Sequence, residues 1–146
     1  MDLRNNFEIP FQDGKPVHVI CTEGEQFINK NEKAYCQHIL IGINGERYEH
    51  QQYVNTDSGI RFYTRFLSQC GIIREQTAEW EPKMLDGKFV TVEFRTKHEA
   101  YDSYDDEGNM IKKEIDKQEM SYAKICTATD AEKMMLKEQA DGSAPF

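Results

Sequence analysis

The dipeptide Asn44-Gly45 constrains this chain more than any other feature, because of what stands on either side of it. Ile39, Ile41 and Ile43 alternate with Leu40 and Gly42 before it, and the run Glu46 to Val54 after it holds no proline or glycine to stop a strand. Asn-Gly supplies the two positive-φ residues of a tight type I′ turn, so the spacing predicts a β-hairpin. A helix is expected next. Thr56, Asp57 and Ser58 can each cap orphan amides, and Ile60, Tyr63, Phe66, Leu67 and Cys70 then recur at helical spacing until Gly71. The same periodicity assigns Phe62 and Phe66 to the core. Beyond Leu85-Asp86-Gly87 the run Lys88–Thr96 alternates again, with Val90, Val92 and Phe94 on one face and Phe89, Thr91, Glu93 and Arg95 on the other.

Reading outward, Pro16–Cys21 is a short strand, and Thr22 to Ala34 is a long connection carrying Lys30 and Lys33. Ile72-Ile73 and Glu75–Met84, with the single Trp80, cross back; Pro82 prevents a long regular element there. Met120–Cys126 is the fifth strand. The order implies a mainly β chain: a five-stranded Greek-key barrel with a helix between strands 3 and 4. Lys97–Glu119 is an insertion between strands 4 and 5. It is either a β-ribbon with Gly108-Asn109 near its tip and strands of opposite charge, or a mobile polar loop. Thr129-Asp130-Ala131-Glu132 has capping-box spacing and opens a short helix, expected to pack lightly or fray. The domain reading is a barrel over 1–128, including the 97–119 insertion, followed by a helix and tail over 129–146.

With 146 residues the chain fits one core. No run of about 18 apolar residues would span a membrane, and Met1–Asn6 lacks the basic start and apolar stretch of an export signal, so a cytosolic protein is expected. Cys21, Cys36, Cys70 and Cys126 are then reduced thiols. His18-x-x-Cys21 with Cys36-x-His38 matches no common zinc spacing, and no metal or other cofactor is expected. The net charge of −8 is unevenly spread: residues 1–98 hold 12 Lys and Arg against 14 Asp and Glu, residues 99–146 hold 6 against 12. Phosphate binding over one patch is compatible with such acidity if the excess lies elsewhere. No nucleophile elbow, Gly-rich phosphate loop or His-Glu-x-x-His occurs, and Asp102, Asp105, Asp106 and Glu107 do not follow a calcium-loop pattern. No catalytic residues are therefore assigned.

The Lys-Asn-Glu-Lys loop, the strand ending Ile-Gly-Ile-Asn-Gly, the helix from Ile60 to Ile72 and the phrase Leu85-Asp-Gly-Lys-Phe-Val-Thr-Val-Glu together resemble small phage proteins of replication and recombination modules. The resemblance runs over roughly residues 14–126 and implies an oligonucleotide-binding (OB) fold that holds single-stranded DNA. Pro145-Phe146 at the end of the sequence also resembles the Pro-Phe tip with which bacterial single-stranded-DNA-binding proteins dock partner enzymes, although only one aspartate stands nearby. That resemblance implies a replication or recombination protein as a second partner.

Non-specific single-strand binding needs rings for bases and cations for phosphates, each stack contributing about 1–3 kcal/mol. Tyr35, Tyr48 and Tyr53 lie on the hairpin, with Arg47, Lys30 and Lys33 near them in sequence. Tyr101, Tyr104, Lys112 and Lys113 join them from the insertion, which in such barrels flanks the bound strand. Pairing of barrels into homo-oligomers is expected. The alternative is an adaptor that binds a replication or recombination enzyme and never touches DNA, which the acidic last third favours.

Overall fold

The structure is a computed structural model, and it describes residues 10–72 and 81–142. The elements are β1 (Val17–Ile28), β2 (Ala34–Gly42), β3 (Arg47–Tyr53), α1 (Asp57–Gln69), a 3₁₀ turn (Pro82–Leu85), β4 (Phe89–Tyr104), β5 (Met110–Ile125) and α2 (Asp130–Ala140). The strands form one open, antiparallel sheet in the order β3-β2-β1-β4-β5. The fold is mainly β, with the expected helix between β3 and β4. Ile73 to Trp80 lie outside the described residues, and the remainder of that predicted crossing contributes the 3₁₀ turn.

The hairpin forms, but not through a type I′ turn. Gly45 takes φ 85° while Asn44 stays at negative φ. Gly45 N–H donates to the Gly42 carbonyl at 3.1 Å and Gly42 N–H to that of Glu46 at 2.9 Å, which closes a three-residue loop over Ile43, Asn44 and Gly45. Glu46 favours this closure, because its carboxylate accepts from the Asn44 N–H at 2.7 Å. The extra loop residue matters for every side chain on β3. A two-residue loop would set Tyr48 opposite Ile41; the observed register sets Tyr48 opposite Leu40 and Arg47 opposite Ile41. Since a one-residue slip exchanges the faces of a strand, Tyr48 points inward and Arg47 outward.

β1 is twice as long as expected and absorbs most of the predicted connection, leaving only Asn29 to Lys33 as a loop. Its register with β2 shifts between Thr22 and Glu25, and Glu23 takes φ 51°. This bulge bends β1 so that Val17–Ile20 pairs with β4 while the rest continues along β2. Gly24 is required at the bend, since a Cβ there would run into the Pro82 carbonyl.

The sheet has two unlike faces. The inner face carries Val19, Cys21, Cys36, Leu40, Val90, Val92 and Phe94, closed by Tyr63, Phe66, Leu67 and Cys70 of α1. α1 also spans the gap between the edge strands β3 and β5, where Gln69 Nε2 donates to the Ala123 carbonyl at 2.7 Å. Met120 N–H donates to Tyr48 Oη across the same gap at 3.3 Å. On the outer face, Leu136 of α2 is fully buried against Ile20, Ile39 and Ile41. α2 keeps its predicted capping box, with Thr129 and Glu132 satisfying each other's backbone N–H groups. Gln139 Nε2 adds a hydrogen bond to the Ile43 carbonyl at 3.0 Å, and Met134 and Met135 remain exposed.

Lys97–Glu119 is a ribbon. After a register shift between Glu93 and Phe94, β4 and β5 pair continuously from Phe94–Met120 out to Tyr104–Met110. The turn at its end is organised by Asp105, whose carboxylate accepts from the N–H groups of Glu107 and Asn109 at 3.0 and 2.8 Å. Gly108 takes φ 82° there.

Candidate nucleic-acid interface

Strand register places three aromatic rings side by side on the outer face. Phe27 of β1 stands opposite Tyr35 of β2, and Tyr35 opposite Tyr53 of β3. The Phe27 and Tyr35 rings stack with centroids 5.5 Å apart, and Tyr35 and Tyr53 follow at 5.4 Å, tilted by 50°. This cross-strand ladder is a favourable sheet packing in itself, yet Tyr53 remains 42% exposed and the other two are half-buried. The five-residue loop abuts it. Asn29 Nδ2 donates to Tyr53 Oη at 3.2 Å, and Asn29 Oδ1 accepts from the N–H groups of Asn31 and Lys33 at 2.9 and 3.0 Å. Glu32 takes the left-handed conformation that tightens this loop, at φ 62°. The result is an open hollow of about 460 Å³ lined by Asn29, Asn31, Lys33, Tyr53, Asn55 and Thr56.

The structure thus brings together Lys30, Lys33, Tyr35 and Tyr53 of the predicted set. Phe27 and the asparagines complete the place and were not anticipated. Phe27 falls in the stretch read as a connection; its position two residues before an Asn-Lys-Asn loop is the signal that could have found it. Arg47 is on the same outer face but at the opposite end of β3, and its guanidinium meets Glu23 at 3.4 Å, with both side chains exposed.

Tyr48 does not belong to this surface. Its ring packs against Phe94 at 4.9 Å and its hydroxyl is held by Met120, so burial raises its pKa above the ordinary phenol value. The three-residue loop is the cause, as the register above requires. Phe62 is the reverse case. Periodicity assigned it to the core, but it lies on the flank of α1 and is 57% exposed, with the Arg65 guanidinium 5.7 Å from its ring centre.

The insertion residues divide between two faces. In the β4–β5 register Tyr101 stands opposite Lys113, and Asp102 opposite Lys112. Successive side chains alternate, so Tyr101 and Lys113 share one face while Tyr104 and Lys112 share the other. The four therefore do not share one face of the ribbon. Pro145 and Phe146 lie outside the described residues.

Interior polar groups stand behind the ladder. His38 shares a 2.7 Å hydrogen bond between Nε2 and Tyr63 Oη, while its Nδ1 is buried without a partner among the described residues. Burial pushes the His38 pKa down to about 4, and burial together with His38 itself pushes His50 down to about 4 as well. Both imidazoles are neutral near pH 7. The Cys21 and Cys70 sulfurs are 3.9 Å apart, and their mutual hydrogen bond and burial raise the Cys21 thiol pKa. His18 faces outward to Thr91 Oγ1 at 2.8 Å, whereas Cys21 and His38 face inward. The four zinc-capable residues are therefore split across the sheet, and no group of three or more metal-ligating side chains occurs among the described residues. No helix there is long and apolar enough to cross a membrane.

No protein-family model matches the chain, and no curated protein sequence is similar to it. The case for a function rests on the geometry.

Proposed function

We propose that this protein binds single-stranded nucleic acid without sequence preference, through the outer face of an OB-type barrel, in DNA replication or recombination. The observation that carries the reading is the ladder Phe27–Tyr35–Tyr53 beside the Asn29–Lys33 loop. Three rings at about 5.5 Å intervals, one of them largely open, offer π-faces to unpaired bases, and base stacking is indifferent to sequence. Asn31, Lys33 and Asn55 around the hollow supply donors for phosphate or sugar oxygens. The strand order β3-β2-β1-β4-β5 with a helix after β3 supports the barrel, since it is the connectivity that closes when β5 meets β3. The side-chain bridges from Tyr48 and Gln69 draw those two edges together.

Charge at the ladder is balanced. Lys30 and Lys33 share their stretch of chain with Glu25 and Glu32, so rings contribute more there than cations. Fluorescence anisotropy with a labelled oligothymidylate, at low and then moderate salt, tests the proposal. Binding that weakens with salt and falls about 5- to 150-fold in Tyr53→Ala is expected, the range that about 1–3 kcal/mol per stacked base implies. A folded protein that does not bind at low salt would refute it and favour the adaptor reading.

A further inference from the structure

The ribbon sorts its charge by face. On the face of Tyr101, strand alternation gathers Arg95, Lys97, Lys113 and Lys117 against Glu99 and Glu119. On the face of Tyr104 it gathers Lys112 against Asp102, Glu114 and Asp116, with His98 bound between the last two at 3.6 and 2.7 Å. One surface is cationic, the other anionic, although the sequence of the insertion is a mixture of both signs.

The cationic face also exposes apolar surface between its lysines. Ile111 and Ile115 alternate with Lys113 on β5, and Tyr101 stands opposite that lysine; Ile115 is 49% exposed and Tyr101 48%. Neither isoleucine is in a core, Ile111 being 37% exposed. Nearer the sheet, Lys97 stands directly opposite Lys117. Like charges in that relation destabilise a strand pair, and of the two only Lys97 has a carboxylate partner among the described residues, Glu99 at 3.6 Å. A row of phosphates laid along this face would relieve the repulsion, and the ring and aliphatic side chains between the lysines would meet sugars and bases. The opposite face would repel the same ligand.

We propose that the Tyr101–Lys113 face of the ribbon is a second contact arm for single-stranded nucleic acid, supplying the cations that the ring ladder lacks. The proposal rests on the nucleic-acid reading above and adds to it which side of the ribbon is used. The register of β1 sets the distance. β4 pairs with the Val17 end of β1 and continues as the ribbon beyond it, whereas Phe27 is at the other end. The two contacts are thus separated by the path from Phe27 back to Val17 on β1 and on from its partner Val92 to Tyr101 on β4, at most about 65 Å. α2 covers the middle of the outer face between them, so a strand reaching both would pass over or beside that helix.

The test compares two triple variants of the full chain that lose the same charge. One is Lys97→Gln/Lys113→Gln/Lys117→Gln, on the cationic face; the other is Lys83→Gln/Lys88→Gln/Lys112→Gln, exposed lysines elsewhere. Binding of a long oligothymidylate, about 30 nucleotides to exceed a single-barrel site, is measured across a salt series. The cationic-face variant is expected to reduce the slope of log affinity against log salt by about 2, as loss of three single-strand phosphate contacts implies, and to bind about tenfold or more weakly at low salt. The matched variant is expected to keep the wild-type slope. Equal slopes for wild type and the cationic-face variant, or equal losses in the two variants, would overturn the arm while leaving the ladder in place. A wild-type protein that binds no oligonucleotide would overturn the underlying reading, and the arm with it.

Discussion

The two ends of the sheet arrange rings and charge in different ways. At the loop end, three rings on three strands are held in register and the local charge is balanced. At the ribbon end, rings are sparse and charge is sorted by face, because a strand's two-residue alternation separates residues that are adjacent in sequence. In the ladder the central strand β2 has a partner on either side, whereas the ribbon has two strands and no core of its own. On the proposed reading, stacking would come from the ladder and salt dependence from the ribbon. A cationic patch and an aromatic platform would then serve one ligand without coinciding.

The largest expected effect concerns where the ribbon is rooted. Phe94 is fully buried and stacks on Phe11 at 4.2 Å while touching Tyr48. Phe94→Ala should destabilise the fold by about 3–5 kcal/mol in chemical denaturation, whereas Tyr101→Ala farther out should leave stability within about 0.5 kcal/mol. A similar small loss for both would mean that the root is not packed as described.

Histidines sharpen the contrast through pH. His38 and His50, behind the ladder, have pKa values pushed down to about 4, against about 6.5 in an unfolded chain. Their stabilisation is therefore complete above pH 6.5 and is lost as pH falls toward 4, because the unfolded state takes up protons first. The loss should be on the order of 3 kcal/mol for His38, visible as a falling urea midpoint. His98 on the ribbon runs the other way. Hydrogen bonds to Asp116 and Glu114 raise its pKa, so its contribution is present at acid pH and fades as pH rises through that raised value. An NMR titration that finds His98 below, or His38 above, the ordinary imidazole value would contradict the assignment.

A smaller effect separates the two faces of β3. Tyr48→Phe removes the hydroxyl that accepts from Met120 N–H and should cost about 0.5–1.5 kcal/mol of stability with oligonucleotide affinity unchanged. A large loss of affinity at unchanged stability would return Tyr48 to the binding surface.

Much of the framework was legible in the sequence, because it depends on local patterns. The alternation of Ile39 to Ile43, the cap at Thr56 and the buried periodicity of Tyr63, Phe66 and Leu67 each point to one structure without help from distant residues. What was not legible depended on choices made elsewhere in space. Asn-Gly is compatible with two loop lengths, and the Glu46 carboxylate favours the longer one, which turns Tyr48 inward. The second half of β1 contains Glu23-Gly24-Glu25, which reads as a loop until the bulge and the Pro82 carbonyl explain the glycine. The ribbon lacks a buried face, so no hydrophobic alternation announces it. Phe62 sits at a helical flank, where spacing alone does not separate core from surface. Of the candidate site, Tyr35, Tyr53, Lys30 and Lys33 were found by position, while Phe27 required the strand pairing.

The most direct test is photochemical crosslinking of a bromouracil-substituted oligonucleotide to the full chain, with the modified residues located by mass spectrometry. Stacked uracil reacts with the ring it lies on, so adducts at Phe27, Tyr35 or Tyr53 are predicted, with Tyr101 as the ribbon contact. Adducts confined to Tyr104 or Phe62, on surfaces away from the ladder, would contradict the account.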